Sequence, residues 1–380
     1  MNTKLLTDKN VESDFSKAWD TMLTVKNKYK NVNEWWEKSA KLSICSFFKN
    51  KGREESRLQR GLLKYLEIKL NRLYKDFHQN GNLNLAETKR LKSKINNIKE
   101  NIMEGVTIRA RIKEQTEGEK ASSTLLSKQV ASKSKPKMCK ILTEYPYDSY
   151  PNKILESQET ISEYVTNYYE RLYDKGETDI GKQAWFLSFI ENCISDSDNE
   201  ALTAKITDDE IYDTLISFST NKSPGIDGIP VEFYTHFFHI IKHEFCEIIR
   251  NSFKLDKLTD SQRKAIVILL FKGGDHQLLS SWRPISLICV DTKLVAKIIA
   301  NRIKPLMDQC ISNEQYCSNN KSIIECNNVT RDMIYYINDR NETGALVNID
   351  LKKAFDSVDH LFLFAVLEKN GILFGIYSFN

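Results

Sequence analysis

Residues 348–357 read Asn-Ile-Asp-Leu-Lys-Lys-Ala-Phe-Asp-Ser and contain Asp350, the carboxylate on which the interpretation of the chain depends. The residues just before it are mostly apolar, so residues 345–351 are predicted to form a buried β-strand. An aspartate at the end of such a strand either caps the following turn or binds a metal ion. These residues alone leave both readings open, and the capping role is the commoner one.

The N-terminal third is predicted to contain a helical hairpin. Leucine, isoleucine and phenylalanine recur at helical spacing over residues 58–77 and again over 91–102, and a polar stretch separates the two runs. Small, polar and charged residues at 121–124 and 132–137 are typical of a linker or mobile loop. We therefore expect a basic, mainly helical segment over residues 1–140 and a second domain over 141–380.

The positive charge of the chain is concentrated in one segment. Residues 51–140 contain 22 lysines and arginines against 10 acidic residues, whereas the net charge of all 380 residues is +4. Such a segment suits a polyanionic partner such as RNA or DNA. A solvated helical face explains the same composition equally well.

Helices and strands alternate in the second half of the chain. A Thr-Asp-Asp-Glu capping box at residues 207–210 starts one predicted helix. Two apolar runs, 265–271 and 282–288, flank the polar residues 272–275 and are predicted to form a β-hairpin. Further helices are predicted over residues 231–253, 292–307 and 322–337 and from about residue 360 onward.

Three segments carry a resemblance to a known family. Residues 350–358 resemble motif A of the reverse transcriptases of non-LTR (LINE-type) retrotransposons and group II introns. Residues 222–228, Lys-Ser-Pro-Gly-Ile-Asp-Gly, are similar to a signature of the fingers in that family, and residues 282–287 to its Arg-Pro-Ile-Ser-Leu block. The three occur in the family's order. Residues 108–120 also resemble the stretch that links an endonuclease to the polymerase in these elements.

The resemblance implies a fold and a reaction. The fold would be α/β, with the fingers of a right-hand polymerase at about residues 205–340 and the start of the palm at 345–380. The reaction would be RNA-directed DNA synthesis, in which deoxynucleoside triphosphates (dNTPs) are added to a DNA primer on an RNA template. Two Mg²⁺ ions would serve as cofactors.

The resemblance also assigns roles to individual residues. Asp350 and the backbone carbonyl of Leu351 would bind Mg²⁺, whereas Asp356 would not bind the metal directly. Lys272 and Arg283 would contact the triphosphate, and the ring of Phe355 would exclude a ribose 2′-hydroxyl. Without the resemblance, Phe355 reads as a core residue and the two cations as surface charge. The fingers signature contributes Lys222, Pro224, Gly225, Asp227 and Gly228.

One expected feature of the family does not occur in this sequence. Two-metal catalysis also needs a later aspartate pair, and no Asp-Asp follows Asp350. We therefore expect a polypeptide of these 380 residues not to extend a primer by itself. The alternative is a non-catalytic module that binds RNA or DNA through the basic helices of residues 51–140.

Other residues restrict the remaining classes of function. Eight cysteines without a Cys-x-x-Cys pair indicate reduced thiols and an intracellular protein of the nucleus or cytoplasm, not a secreted one. The apolar runs are too short to cross a bilayer, so no membrane partner is expected. His236, His239 and His243 share a helical face and could bind Zn²⁺, although packing is the commoner role. The Trp35-Trp36 pair is predicted to be a hydrophobic anchor.

Overall fold

The computed structural model describes residues 3–80, 84–110, 138–143, 153–174, 176, 178–254, 258–311, 315–316, 322–351 and 353–372. This part of the chain is mostly helical. Its α-helices are α1 (Lys9–Thr24), α2 (Val32–Trp35), α3 (Lys41–Asn80), α4 (Leu85–Ala110), α5 (Gln158–Tyr173), α6 (Ile180–Leu187), α7 (Asp196–Thr203), α8 (Asp208–Ile216), α9 (Val231–Lys254), α10 (Val290–Ile303), α11 (Met307–Cys310), α12 (Ile323–Asp339) and α13 (His360–Lys369). Its strands are β1 (Ile141–Leu142), β2 (Ile154–Leu155), β3 (Ile266–Phe271) and β4 (Trp282–Leu287).

The chain divides into two compact units. The first contains Met1–Val11 and Ile44–Cys139, and the second contains Glu12–Ser43 and Lys140–Asn380. Residues 12–43 therefore group with the C-terminal part of the chain and not with the basic segment in which the sequence places them. The physical reason is the apolar anchor described below. The division near residue 140 otherwise stays a prediction.

The predicted helical hairpin is present in the first unit. Leu66 of α3 packs against Leu91 and Ile95 of α4, and these three side chains are buried. Ion pairs flank this apolar seam: Lys69 lies 2.8 Å from Glu87, and Lys99 lies 2.8 Å from Glu67. The leucine and isoleucine spacing thus predicted the hairpin correctly, because it records the buried face of each helix.

Aromatic side chains form the core of the second unit. Trp35 and Trp36 are fully buried, and Trp36 lies 6.3 Å from Tyr234 and 5.9 Å from Phe245, both on α9. The ring of Trp35 meets that of Trp19 at 5.5 Å. The prediction that the tryptophan pair is a hydrophobic anchor is confirmed. Burying such large rings is the main apolar stabilisation that residues 12–43 offer the unit.

The predicted β-hairpin is also confirmed. Strands β3 and β4 pair antiparallel, from Ile266 opposite Leu287 to Phe271 opposite Trp282. Strands β1 and β2 form a second antiparallel pair. The described residues thus contain two small sheets among helices.

One predicted strand is wrong. Residues 345–351 adopt no strand, and their apolar side chains are largely exposed: Leu346, Val347, Ile349 and Leu351. The described residues offer this segment no neighbouring strand. Its alternating apolar residues therefore have neither a hydrogen-bonded ladder nor a covered face, both of which a strand requires.

Some apolar side chains and one cysteine are exposed at the surface. Helix α12 has no buried residue, and its Ile323, Met333 and Tyr335 are well exposed. No described helix combines the length and apolarity that a membrane span needs. The described cysteines are free thiols, some of them buried, such as Cys246 and Cys289, and one, Cys139, exposed.

Candidate functional site

The β3–β4 hairpin presents two cations on one face. Arg283 pairs with Leu270 in the strand register, and the N–H of Lys272 donates to the carbonyl of Ser281 at 3.0 Å. Side chains alternate along a strand, and directly opposed residues share a face. Lys272 and Arg283 therefore lie on the same face, and both are exposed.

Aromatic rings on the other face hold the tip of the hairpin. Phe271 stacks on His276 with their centroids 3.8 Å apart, and Trp282 donates from Nε1 to the carbonyl of His276 at 3.0 Å. Gly273 and Gly274 have φ values of 113° and 94°, which only glycine adopts readily. The tip is thus ordered by its own side chains.

The residues of the fingers signature form a tight turn. The N–H of Gly228 donates to the carbonyl of Gly225 at 3.1 Å, and Gly228 has a φ of 69°. Gly225 itself is buried against the backbone of Cys289. Oδ1 of Asp227 accepts from the N–H of Ile229 at 3.1 Å. The two glycines therefore allow the backbone geometry of the turn, and the side chain of Asp227 stabilises the turn by a hydrogen bond.

A buried ammonium group joins two carboxylates beside this turn. Nζ of Lys41 lies 2.7 Å from Oδ2 of Asp291 and 3.2 Å from Oδ2 of Asp227, and all three side chains are almost fully buried. Nε1 of Trp36 also donates to Oδ2 of Asp291, at 3.2 Å. Lys222, by contrast, is exposed at the start of the turn.

The positive charge of Lys41 offsets one of the two negative charges in this cluster. Burial lowers the pKa of Lys41, but attraction to Asp291 and Asp227 outweighs burial and raises that pKa above its ordinary value. Burial, with the negative charge of Asp227, raises the pKa of Cys289 to about 11. At neutral pH the lysine is therefore charged and the thiol is protonated.

These groups do not suit Mg²⁺. Asp227, Cys289 and Asp291 offer ligand atoms within 4.8 Å of one another. However, the ammonium of Lys41 already pairs with both carboxylates and offsets one of their two negative charges, and Mg²⁺ prefers oxygen ligands to a protonated thiol. We conclude that the cluster is an internal ion pair and not the metal centre of a polymerase.

The motif around Asp350 lies in an exposed, extended segment followed by a turn. Asp350 and Leu351 are exposed, and Phe355 is 98% exposed, which rules out the core role for this ring in the described residues. Among the described residues, Asp350 belongs to no group of three or more side chains that could hold a metal ion. They do not by themselves fit a pair of Mg²⁺ ions, and we derive no chemical step through such ions.

Helix α5 supports the turn that follows Asp350. Lys353, with a φ of 52°, donates to the hydroxyl of Tyr168 and lies 4.0 Å from the centroid of that ring. Burial raises the pKa of Tyr169 to about 12, and the charges of Tyr173 and Asp356 add to that rise. Asp356 therefore faces tyrosines of α5.

The three histidines of α9 do not form a metal site in the described part of the chain. His239 pairs with Glu12 at 2.9 Å, and His243 contacts its neighbour Glu244 at 3.2 Å. They are absent from the group of metal-ligating side chains found there, so the Zn²⁺ alternative receives no support. The spacing correctly placed them on one helix, but His239 and His243 contact carboxylates, and His236 lies against the ring of Phe237.

The comparisons with known proteins agree with the sequence motifs. Residues 271–374 match the family described as reverse transcriptase (RNA-dependent DNA polymerase). Over 97% of its length the chain is 26% identical to a transposon TX1 uncharacterized 149 kDa protein of Xenopus laevis.

Two further relatives come from transposable elements. A segment of 107 residues is 30% identical to a Pol polyprotein from the type-1 retrotransposable element R2 of Popillia japonica, covering 27% of this chain and 14% of that protein. A segment of 175 residues is 26% identical to a probable RNA-directed DNA polymerase from transposon BS of Drosophila melanogaster, covering 42% and 18%.

These matches confirm the resemblance to reverse transcriptases of non-LTR retrotransposons. The chain spans 28% of the length of the Xenopus relative and smaller shares of the other two.

Sequence reasoning missed several residues of the site. Lys41 pairs with Asp227 of the signature turn and with Asp291, and Glu37 accepts hydrogen bonds from residues before β3. Nothing in the local sequence of Lys41, Asp291 or Glu37 sets them apart. The one available signal was Asp227, whose buried carboxylate requires a cation from elsewhere in the chain.

Proposed function

We propose that this chain supplies the fingers and the beginning of the palm of an RNA-directed DNA polymerase encoded by a non-LTR retrotransposon. The observation that carries the proposal is the pair of exposed cations, Lys272 and Arg283, on one face of an ordered hairpin within the segment that matches the family. The fingers would occupy about residues 205–340, and the palm would begin at about residue 345.

The hairpin has the chemistry to hold a triphosphate. Arginine binds phosphate oxygens through two parallel N–H donors, and lysine adds a compact positive charge. In the proposed complex, Lys272 and Arg283 neutralise the phosphate tail of a dNTP and orient it toward the primer end.

Asp350 and Phe355 would complete the nucleotide site. The proposal gives Asp350 and the carbonyl of Leu351 the role of Mg²⁺ ligands, together with carboxylates outside the described residues. The exposed ring of Phe355 would lie against the sugar and reject a 2′-hydroxyl. Both side chains are open to solvent, as residues that meet a substrate must be.

The proposal is tested by RNA-templated extension of a DNA primer. The test compares residues 1–380 with a polypeptide that joins this chain to a palm segment carrying the aspartate pair of the family. We expect the longer polypeptide to incorporate complementary dNTPs in the presence of Mg²⁺, and residues 1–380 not to do so. Extension that ignores the template sequence, or none at all from a folded protein, contradicts the proposal.

Nucleotide affinity gives a separate test of the hairpin. Lys272→Ala and Arg283→Ala are each expected to weaken binding of a fluorescent dNTP about tenfold, since each removes a charge-assisted hydrogen bond. Fluorescence titration of residues 1–380 measures this effect. Lys264→Ala is the matched control, because Lys264 is exposed just before β3, at the opposite end of the strand from Lys272. Equal losses in all three variants argue against a specific site.

A second candidate function, nucleic-acid binding by the basic hairpin of α3 and α4, is supported by the charge on its surface. Arg57, Arg60 and Lys64 are exposed and lie at i, i+3 and i+7 on one face of α3. Such a row can follow a phosphate backbone. This function is compatible with the polymerase proposal, since a polymerase of that kind must bind an RNA template and a DNA primer.

Salt dependence separates this binding from a solvated face. We expect the Kd for a short RNA to rise steeply with salt, and replacement of Arg57, Arg60 and Lys64 by alanine to reduce the slope of log K against log salt by about 2 to 3. Fluorescence anisotropy at several salt concentrations provides the measurement. Alanine at Lys182, Arg263 and Lys264, three exposed cations of the second unit, is the control. An unchanged slope would show that these three residues form a solvated face that makes no contact with phosphates.

A further inference from the structure

The residues that lead into β3 are held by two side chains of the N-terminal segment. Nζ of Lys41 donates to Oγ of Ser261 at 2.8 Å. Oε1 of Glu37 accepts from the N–H of Ser261 at 2.8 Å, and its Oε2 accepts from Oγ1 of Thr259 at 3.0 Å. Glu37 and Lys41 are one helical turn apart, so they reach the same short stretch. The entry to the hairpin is therefore fixed by hydrogen bonds to side chains far away in sequence.

The residues that leave β4 are held by the same lysine. Nζ of Lys41 lies 2.7 Å from Oδ2 of Asp291, whose Oδ1 accepts from the N–H of Thr292 at 2.9 Å. Oγ1 of Thr292 donates to the carbonyl of Gln262 at 3.1 Å, directly across the base of the hairpin. Lys41 thus contacts both segments that flank the hairpin, through Ser261 before β3 and Asp291 after β4.

The hairpin needs such support. A two-stranded hairpin alone is marginally stable in water. Here, β3 contains no fully buried residue, and β4 contains one, Trp282. At the polar base, in contrast, Lys41 and Asp291 are buried and Glu37 is half-buried. An ion pair out of water and its hydrogen bonds are strong, and a missing partner is costly. The polar contacts at the base therefore contribute more to the position of the strands than the burial of their side chains does.

We propose that Glu37 and Lys41 form a clamp across the base of the β3–β4 hairpin and act as positioning residues for nucleotide binding. The effect on nucleotides rests on the proposed function of Lys272 and Arg283. The clamp itself does not rest on that function, because it concerns how well ordered the conformation of the hairpin is. The clamp also gives residues 12–43 a role in the second unit beyond apolar packing.

Hydrogen exchange tests the clamp without reference to nucleotides. In Glu37→Gln and Lys41→Met, we expect the amides of β3 and β4 to exchange about tenfold faster or more, as local opening becomes easier, while the amides of α9 keep their protection. Lys38→Met is the matched control, since Lys38 lies between the two and its side chain is 64% exposed. Mass spectrometry of peptides from residues 1–380 resolves the regions.

Nucleotide titration of the same variants tests the positioning role. Both clamp variants are expected to raise the Kd for a fluorescent dNTP at least about fivefold, whereas Lys38→Met leaves it unchanged. If the parent chain binds no dNTP, the proposed function fails and the exchange data still decide the clamp. If hairpin exchange is unchanged in folded Glu37→Gln and Lys41→Met, the clamp is wrong. Should Lys41→Met not fold, Glu37→Gln alone decides in the same way.

Discussion

Primer extension is expected to fall at least about a thousandfold when Asp350 is replaced by asparagine in a polypeptide that carries the complete palm. Asparagine keeps the shape of the side chain and one oxygen, but it loses the negative charge that holds a divalent ion. Phosphoryl transfer depends on that ion, because little other than positioning and charge stabilisation accelerates the reaction. Steady-state extension on an RNA template with Mg²⁺ measures the loss.

The structure makes this variant easy to interpret. Asp350 is exposed in an extended segment, so the substitution removes no core contact, and the melting temperature should stay that of the parent. Asp332→Asn is the matched control, because Asp332 is an exposed aspartate of α12 outside the motif. The motif contains a second aspartate, Asp356. If Asp356→Asn abolishes extension while Asp350→Asn preserves it, the assignment of the metal ligand is reversed.

The sequence predicted the elements whose signal is local. Helical spacing of leucines identified the hairpin of α3 and α4, and two apolar runs around a glycine-containing loop identified β3 and β4. In both cases the element that packs or pairs with the first one follows it closely in the sequence. The two neighbouring patterns are therefore enough to predict the pair. The strand predicted over residues 345–351 failed because the described residues contain no neighbouring strand to complete its ladder.

The candidate site was predictable to a similar degree. Lys272 and Arg283 could be placed on one hairpin, because they lie next to or within the two stretches predicted to be its strands. The contacts of Lys41 could not be predicted, because two aspartates and a serine from three distant segments meet around it. Only the fold brings such groups together, and their burial then makes each one depend on the others.

Gly225 is where the signature turn meets the hairpin base most closely. A Cβ at this position would lie 2.4 Å from the backbone nitrogen of Cys289 and 2.6 Å from the backbone carbon of Ile288. These are main-chain atoms at the start of α10, so they cannot move aside as a flexible side chain would. The close approach explains why the turn has glycine here, although Gly225 does not have a positive φ.

Gly225→Ala is therefore expected to lower the free energy of unfolding by roughly 3 kcal/mol, at the upper end of overpacking effects. The added methyl would separate the signature turn from Cys289, and with it Asp227 from Lys41. Gly176→Ala is the matched control, because a Cβ there meets nothing within 4 Å. Gly228→Ala should fall between the two, since its φ of 69° strains alanine without a clash.

Urea unfolding followed by tryptophan fluorescence suits this series, because Trp35 and Trp36 are buried in the same unit. We expect the midpoint to fall most for Gly225→Ala, less for Gly228→Ala and very little for Gly176→Ala, with similar slopes. A Gly225→Ala protein as stable as the parent would show that the turn and the hairpin base are not in close contact in solution. In that case Asp227 would also lose its place beside Lys41, and the turn would have to be assigned a role independent of the hairpin.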